Sequence, residues 1–222
     1  MYSFAQRNDT IVFDEPLYGH YLRVTGYDHP GRNEILESME TDGEKVIREQ
    51  ILGDHEKEVI FFKQMTHHYI ELSDEFLKDV INVFLIRDPE ELIVSFSKVI
   101  PDVTMERIGV KMQYDLYQKL KTFGRKPPVI DSGEILKDPE KVLSQLCGML
   151  GIPFQKEMLK WNAGPIPEDG IWAKYWYNNV HKSTGFSKPD KKDKAFPEEF
   201  RTLLDECKIY YSQLKEFSIK AN

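Results

Sequence analysis

The sequence lacks long apolar runs and has only two cysteines. No segment is apolar over the roughly 18 residues that a membrane-spanning helix needs, so we expect no membrane partner. Cys147 and Cys207 stand alone, without the spacing of metal ligands, which favours a reduced, cytoplasmic setting and predicts no metal site. The first residues show no charged-then-apolar pattern, so no signal peptide is expected.

Positive charge is in the minority. The chain has 30 Lys and Arg residues against 37 Asp and Glu residues, a net charge of -7. This balance argues against nucleic acid as a partner, although local geometry can still bind a small anion. The 222 residues show no internal repeat and no linker, so we predict a single domain over residues 1–222.

Short apolar runs alternate with helical patterns along the chain. Four runs predict strands, at residues 10–13, 59–62, 82–86 and 129–131. Residues 104–123 predict one long amphipathic helix, and the last helix is expected to begin at Pro197. Strands that alternate with helices predict a three-layer α/β domain, with a parallel sheet and flanking helices.

The third predicted strand ends at Arg87 and leads directly into a helix. Asp88 can cap that helix, and Pro89 suits its first position. Arg87 therefore stands at the carboxyl end of a parallel strand, where open α/β sheets bind ligands, and Ser95 follows eight residues later. A guanidinium and a hydroxyl placed in this way can bind one phosphate. The spacing leaves open that Arg87 only pairs with a nearby carboxylate and that Ser95 faces another helix.

This arrangement of strand, Arg, Asp-Pro and a later Ser resembles the 3′-phosphate-binding segment of sulfotransferases that use 3′-phosphoadenosine 5′-phosphosulfate (PAPS). Further segments, DEPLY from residue 14, LRVTG from residue 22, GPIPEDGIWA from residue 164 and HKSTGF from residue 181, resemble a narrower sulfotransferase-like group. That group occurs in bacteria and, in plants, fused to a branched-chain aminotransferase-like domain. No pyridoxal-phosphate site is visible here, so the resemblance does not imply aminotransferase chemistry.

The resemblance implies a fold like that of P-loop NTPases, PAPS as co-substrate, and a small-molecule acceptor that offers a hydroxyl or an amine. The alternative is a catalytically inactive nucleotide-binding or interaction protein of the same fold. A P-loop kinase is disfavoured, because the sequence has no Gly-x-x-x-x-Gly-Lys-Ser/Thr motif. The sequence indicates neither the chemical identity of the acceptor nor the oligomeric state.

Glu15 is the first candidate for the base that sulfuryl transfer requires. It follows a predicted strand, and the resemblance places it where sulfotransferases that modify tyrosine residues carry a catalytic glutamate. The alternative is a surface turn with a helix-capping acid. Lys63 stands at the end of the next strand. In this position it resembles a lysine of cytosolic sulfotransferases that lies beside the reacting sulfate.

Two histidines are alternatives to Glu15. Cytosolic sulfotransferases carry their catalytic histidine two residues beyond that lysine, where this chain has Met65, so the match fails at this position. His67 and His68 follow closely, and either is a candidate base or simply a partly buried polar residue. Adjacent histidines cannot share one face of a helix, so they do not indicate a metal pair.

A long loop, residues 162–193, is rich in glycine, proline and aromatic residues, and its aromatics argue that it is ordered. In sulfotransferases a late loop with Gly, Trp and Lys closes over the 3′-phosphate. By this resemblance Lys182 and Ser183 supply a cation and a hydroxyl, and Trp172 stacks on the purine. The alternative is that the aromatics pack the loop. The charged residues 188–194 are expected to form a solvated face.

One part of the family pattern has no match. Sulfotransferases begin with a strand and a phosphosulfate-binding loop that leads into a helix, and residues 1–7 resemble only the tail of that helix. We therefore expect the first strand and the phosphate loop to be absent, and Met1 to be an internal methionine of a longer, amino-terminally truncated protein. The resemblance implies PAPS-dependent sulfotransferase activity for a chain that is completed upstream. A helix amino terminus with its loop would supply the main electrostatic stabilisation of the phosphosulfate.

Overall fold

The computed structural model describes residues 1–100, 102–187 and 196–222. Contacts divide the chain into two compact units. The first unit comprises Met1–Asp79 and Gln155–Phe186, and the second comprises Val80–Phe154 and Ser187–Asn222. The predicted solvated face, residues 188–194, lies outside the described residues. A search of the described helices finds none with the length and hydropathy of a membrane span.

The described strands form two parallel sheets, one in each unit. In chain order the strands are β1 Thr10–Asp14, β2 Val59–Lys63, β3 Phe84–Ile86, β4 Val129–Asp131 and β5 Ser218–Ile219. β1 pairs with β2 in the first unit, and β4 lies between β3 and β5 in the second. The predicted α/β class, with parallel strands and flanking helices, is confirmed.

Helices connect and cover the strands. In chain order they are α1 Tyr2–Ala5, α2 Tyr18–Thr25, α3 Arg32–Ser38, α4 Gly43–Val46, α5 Pro89–Phe96, α6 Met105–Ile108, α7 Val110–Thr122, α8 Ser132–Lys137, α9 Pro139–Leu150, α10 Ala173–Trp176 and α11 Arg201–Lys215. A π-helical turn, Ile47–Ile51, continues α4. Short 3₁₀ turns are Thr66–His68, Glu75–Lys78, Lys156–Leu159, Val180–Lys182 and Glu198–Phe200.

Two helix predictions were wrong in detail. The single helix predicted at 104–123 is two helices, because Gly109 between them has a φ of 70° and so leaves the right-handed helical region. The last helix begins at Arg201, after a 3₁₀ turn, and not at Pro197. β5 was not predicted, since two residues are too short to show a period.

Each unit has its own apolar cluster. In the first unit the cluster consists of Tyr18, Tyr21, Leu22, Ile35 and Trp172. In the second unit it consists of Ile93, Ile108, Val110, Phe196, Leu204 and Cys207. Along the first sheet, Phe13 of β1 stacks on Phe62 of β2 with ring centroids 5.2 Å apart, which packs these two strands just before their carboxyl ends.

Candidate functional site

The carboxyl ends of β1 and β2 bring three charged residues together in the first unit. The parallel register places Asp14 opposite Lys63, and Glu15 follows directly. The Glu15 N–H donates to the Lys63 carbonyl at 2.7 Å, and the Tyr18 N–H donates to the Glu15 carbonyl at 2.9 Å. Glu15 has a φ of 45°, a conformation rare outside glycine, so these bonds hold a strained backbone that turns its carboxylate toward Lys63.

The Lys63 ammonium has three oxygen partners. It hydrogen-bonds the Glu15 carboxylate and the Tyr177 hydroxyl, the latter at 2.8 Å, and it lies 3.4 Å from Asp14 Oδ1. These partners match the three N–H groups of an ammonium. Burial lowers the pKa of Lys63, and the Asp14 carboxylate opposes this shift. The site is therefore a cation held between two carboxylates.

Asp14 is the fixed part of this cluster. Its side chain is 1% exposed. The Tyr177 O–H points at both Asp14 oxygens, at 2.7 and 2.8 Å, and the Gly170 N–H donates to Oδ2 at 3.1 Å. Burial and the charge of Asp14 raise the pKa of the Tyr177 phenol far above its usual value, so Tyr177 stays a hydrogen-bond donor at neutral pH.

A second buried carboxylate orders the loop that carries Tyr177. Asp169 Oδ2 accepts from the Tyr2 O–H at 2.6 Å and from the Ile166 N–H at 3.1 Å, and it lies 3.0 Å from His181 Nε2. These contacts tie the loop to α1 and close it on itself. These contacts support the prediction that this loop is ordered, over its described part, residues 162–187.

The two candidate histidines are buried, and His68 lies near Glu15. His67 is 6% exposed and His68 is 1% exposed. The His68 ring stacks on the Tyr18 ring at 4.7 Å, and its Nδ1 lies 3.7 Å from Glu15 Oε2 without a hydrogen-bond partner among the described residues. Burial lowers the pKa of His67 to about 4 and that of His68 well below its usual value, so both rings are neutral at pH 7.

The depressed pKa of His67 predicts acid sensitivity. Unfolded His67 binds a proton at about pH 6.5, whereas folded His67 does so only at about pH 4, so the unfolded state binds more protons in this window. We expect His67 alone to lower the free energy of unfolding by about 3 kcal/mol as pH drops from about 6.5 to 4, in addition to the contribution of His68 in the same direction. Urea unfolding at several pH values between about 4 and 6.5 measures this pH dependence of the free energy of unfolding. His67→Gln should remove that part of the slope, and an unchanged slope would contradict the assignment.

The predicted phosphate ligands of the second unit lie at the end of β3 and on α5. Asp88 caps α5 by accepting from the Glu90 N–H at 2.9 Å, and Pro89 is its first residue, as predicted. Arg87 is exposed and donates to Glu91 at 3.2 Å, the carboxylate pairing that the alternative reading foresaw. Ser95 is half-buried. Their role toward a phosphate stays a prediction.

The loop candidates have different surroundings. Trp172 is 4% exposed and packs edge-on against Tyr18, with ring centroids 5.2 Å apart, so its ring is part of the core. The Ser183 hydroxyl donates to the Val180 carbonyl at 2.7 Å and accepts from the Trp161 indole N–H at 3.0 Å. Lys182 is exposed. The aromatics thus pack the loop, the alternative stated for them, and Lys182 is the accessible one of the three.

Sequence reasoning missed Tyr177 and Asp169, and it treated Asp14 only as a neighbour of Glu15. Tyr177 is 163 positions from the carboxylate it holds, and no periodicity or spacing links them. The position of Asp14 near Lys63 could have been predicted, because each is the last residue of a strand and the two strands pair in parallel. Within the ranges that the structure describes, no group of three or more His, Cys, Asp or Glu residues could hold a metal ion.

Comparison with protein families gives one match that covers nearly the whole chain. The model of a family described as "Sulfotransferase domain" matches residues 1–216. A solved structure, "Sulfotransferase Domain from the Curacin Biosynthetic Pathway", gives a TM-score of 0.45 at 18% identity, over 90% of this chain and 78% of that one.

Two curated relatives come from Arabidopsis thaliana. "Branched-chain-amino-acid aminotransferase-like protein 2" is 44% identical over 216 residues, which cover 97% of this chain and 38% of the relative. "Branched-chain-amino-acid aminotransferase-like protein 1" is also 44% identical over 216 residues, 97% of this chain and 39% of the relative. The chain therefore spans about two fifths of the length of these relatives.

Proposed function

Because the chain belongs to the sulfotransferase domain family, we propose that it transfers a sulfuryl group from PAPS to a hydroxyl or amine of a small-molecule acceptor. The observation that carries this proposal is the contact between buried Glu15 and partly exposed Lys63 at the ends of two parallel strands. A carboxylate beside an ammonium offers a base for the acceptor and a positive charge for the sulfuryl oxygens.

In the proposed reaction Glu15 takes the proton of the acceptor O–H or N–H. The acceptor oxygen or nitrogen then forms a bond to sulfur while the bond from sulfur to the bridging phosphate oxygen breaks. Adenosine 3′,5′-bisphosphate leaves with the electron pair of that bond, and Glu15 later returns its proton to solvent. Lys63 stabilises the charge on the sulfuryl oxygens.

Glu15 suits the role of base better than the two histidines. Lys63 contacts the Glu15 carboxylate directly, and a neighbouring cation favours the charged, proton-accepting form. His67 and His68 are neutral and buried, and protonating either ring would place a second positive charge near Lys63. Both stay as alternatives that substitution can test.

For the nucleotide we propose Arg87 and Ser95, both in the second unit, as ligands of the 3′-phosphate. Lys182, in the first unit, stays a predicted cation. Arg87 is exposed and follows a parallel strand, which suits bidentate binding of a phosphate, although the anion must displace Glu91. We propose that Trp172 and Ser183 contribute by ordering the loop, since both side chains already have partners within it.

Titration with adenosine 3′,5′-bisphosphate tests the nucleotide assignment. We expect micromolar binding and at least a tenfold weaker affinity in Arg87→Ala, because a charge-assisted bidentate contact is lost. Arg201→Ala is the matched control: Arg201 is also exposed and also paired with a glutamate, Glu198, so it should bind like the wild type. A folded chain that does not bind, or an Arg87→Ala variant with unchanged affinity, would contradict the assignment.

A second candidate is a nucleotide-binding protein without catalysis. One observation favours it, since all three N–H groups of Lys63 are occupied by protein oxygens, as in a purely structural ion cluster. Such a protein would bind adenosine 3′,5′-bisphosphate and PAPS but would not consume PAPS. Turnover of PAPS separates the two candidates.

A further inference from the structure

We propose that the Glu15 carboxylate exchanges between two partners, Lys63 and His68, and that this exchange frees Lys63 to bind an oxyanion. The inference rests on the proposed function for the identity of that oxyanion as a sulfuryl group. It goes further by making His68 a positioning residue that acts through Glu15, and by making Asp14 and Tyr177 the fixed clamp on Lys63.

Lys63 as it stands has no N–H left for an anion. Glu15, Tyr177 and Asp14 surround its ammonium, and an ammonium has three N–H groups. A sulfuryl oxygen can reach the nitrogen only by replacing one of these partners. The question is which of the three can leave.

Asp14 and Tyr177 cannot leave easily. Asp14 is 1% exposed and is held independently by the Gly170 N–H. Tyr177 is held in turn, because its O–H donates to Asp14 while its oxygen accepts from Lys63. The Glu15 carboxylate has Lys63 as its only hydrogen-bond partner within the described part of the chain. Glu15 is therefore the replaceable partner.

A released Glu15 carboxylate needs another donor, since it is only 8% exposed. His68 offers one: its Nδ1 is buried, unpartnered within the described residues, and 3.7 Å from Glu15 Oε2. A movement of about 1 Å brings this pair to hydrogen-bond distance. Tyr18 stacks on the His68 ring at 4.7 Å, and Tyr21 lies at the same distance, so the carboxylate moves and the ring does not.

In this exchange the unpartnered Nδ1 of His68 becomes a hydrogen-bond donor to Glu15. A buried polar atom without a partner is unfavourable and is rare in native structures, so a second position of Glu15 explains why it is retained. The neutral ring carries its proton on Nδ1 and donates it to the carboxylate. Without that donor, freeing Lys63 would leave a bare carboxylate in a buried site.

The test follows the side-chain signal of Lys63 by NMR in protein with isotope-labelled lysine, during titration with inorganic sulfate. Lys63→Arg assigns the signal. His68→Phe keeps a ring against Tyr18 but has no N–H, and we expect it to weaken sulfate binding at Lys63 about tenfold. His68→Asn places an amide N–H near the former Nδ1 and should stay within about threefold of the wild type.

The same two His68 substitutions, made in a Glu15→Gln background, distinguish a role of His68 in positioning Glu15 from a purely structural role of His68. With the charge of residue 15 removed, sulfate should bind more tightly, and His68→Phe should then change the affinity by less than about twofold. An equal loss in both backgrounds would show a structural role and overturn the proposal. So would a Lys63 signal that does not respond to sulfate in either background. Neither readout uses PAPS or an acceptor, so failure of the proposed function is seen separately.

Discussion

Replacing Lys63 by methionine is expected to lower the free energy of unfolding of the first unit by about 3–5 kcal/mol. Asp14 and Glu15 are 1% and 8% exposed, and Lys63 is the cation between them. Methionine retains most of the apolar stem but leaves two adjacent buried carboxylates without a positive charge. Removing one partner of a buried ion cluster is costly because the remaining charges stay desolvated.

Tryptophan fluorescence during urea unfolding measures this effect selectively. All three tryptophans, Trp161, Trp172 and Trp176, lie in the first unit. Lys45→Met is the matched control, since Lys45 pairs with Glu40 in the same unit but is 44% exposed, and it should unfold like the wild type. Equal unfolding midpoints for Lys63→Met and Lys45→Met would contradict the buried cluster.

Glu15→Gln is expected to lower the rate of sulfuryl transfer by about 10²- to 10⁴-fold, because the acceptor loses its general base. The amide fills the same space, so affinity for adenosine 3′,5′-bisphosphate should remain within about twofold of the wild type. Transfer of labelled sulfur from PAPS and titration with the bisphosphate measure the two quantities on one protein sample.

Substitution of the histidines completes this test. His67→Gln keeps Glu15 and Lys63 in place, so transfer should continue near the wild-type rate. If His67→Gln loses transfer as strongly as Glu15→Gln does, or if Glu15→Gln keeps the full rate, Glu15 is not the base. His68→Phe should slow transfer while leaving bisphosphate affinity unchanged, as expected of a positioning residue.

Local signals predicted the elements around the site well. The apolar runs before Asp14, Lys63 and Arg87 are strands, and the Asp88-Pro89 pair begins α5 as its capping chemistry requires. The break at Gly109 was missed because apolar residues continue at helical spacing across it. A left-handed glycine interrupts the backbone without interrupting the pattern.

The site itself was predictable only in part. That Glu15 and Lys63 meet follows from two parallel strands that end at the same edge, and the structure brings them into contact. Tyr177 and Asp169 come from a loop without periodicity, so only tertiary structure places them. The role of Trp172 could not be predicted from the sequence, because an aromatic residue in a loop can either stack on a ligand or pack in the core. In the structure Trp172 packs in the core.

The proposed sulfuryl transfer is tested by following the conversion of PAPS, labelled in its sulfur, to adenosine 3′,5′-bisphosphate in the presence of phenols, alcohols and amines. We expect that at least one acceptor class becomes labelled, that one bisphosphate forms per transfer, and that Glu15→Gln abolishes most of the conversion. A folded protein that leaves PAPS intact with every class, or that converts it equally well without Glu15, would show that the proposed function is wrong.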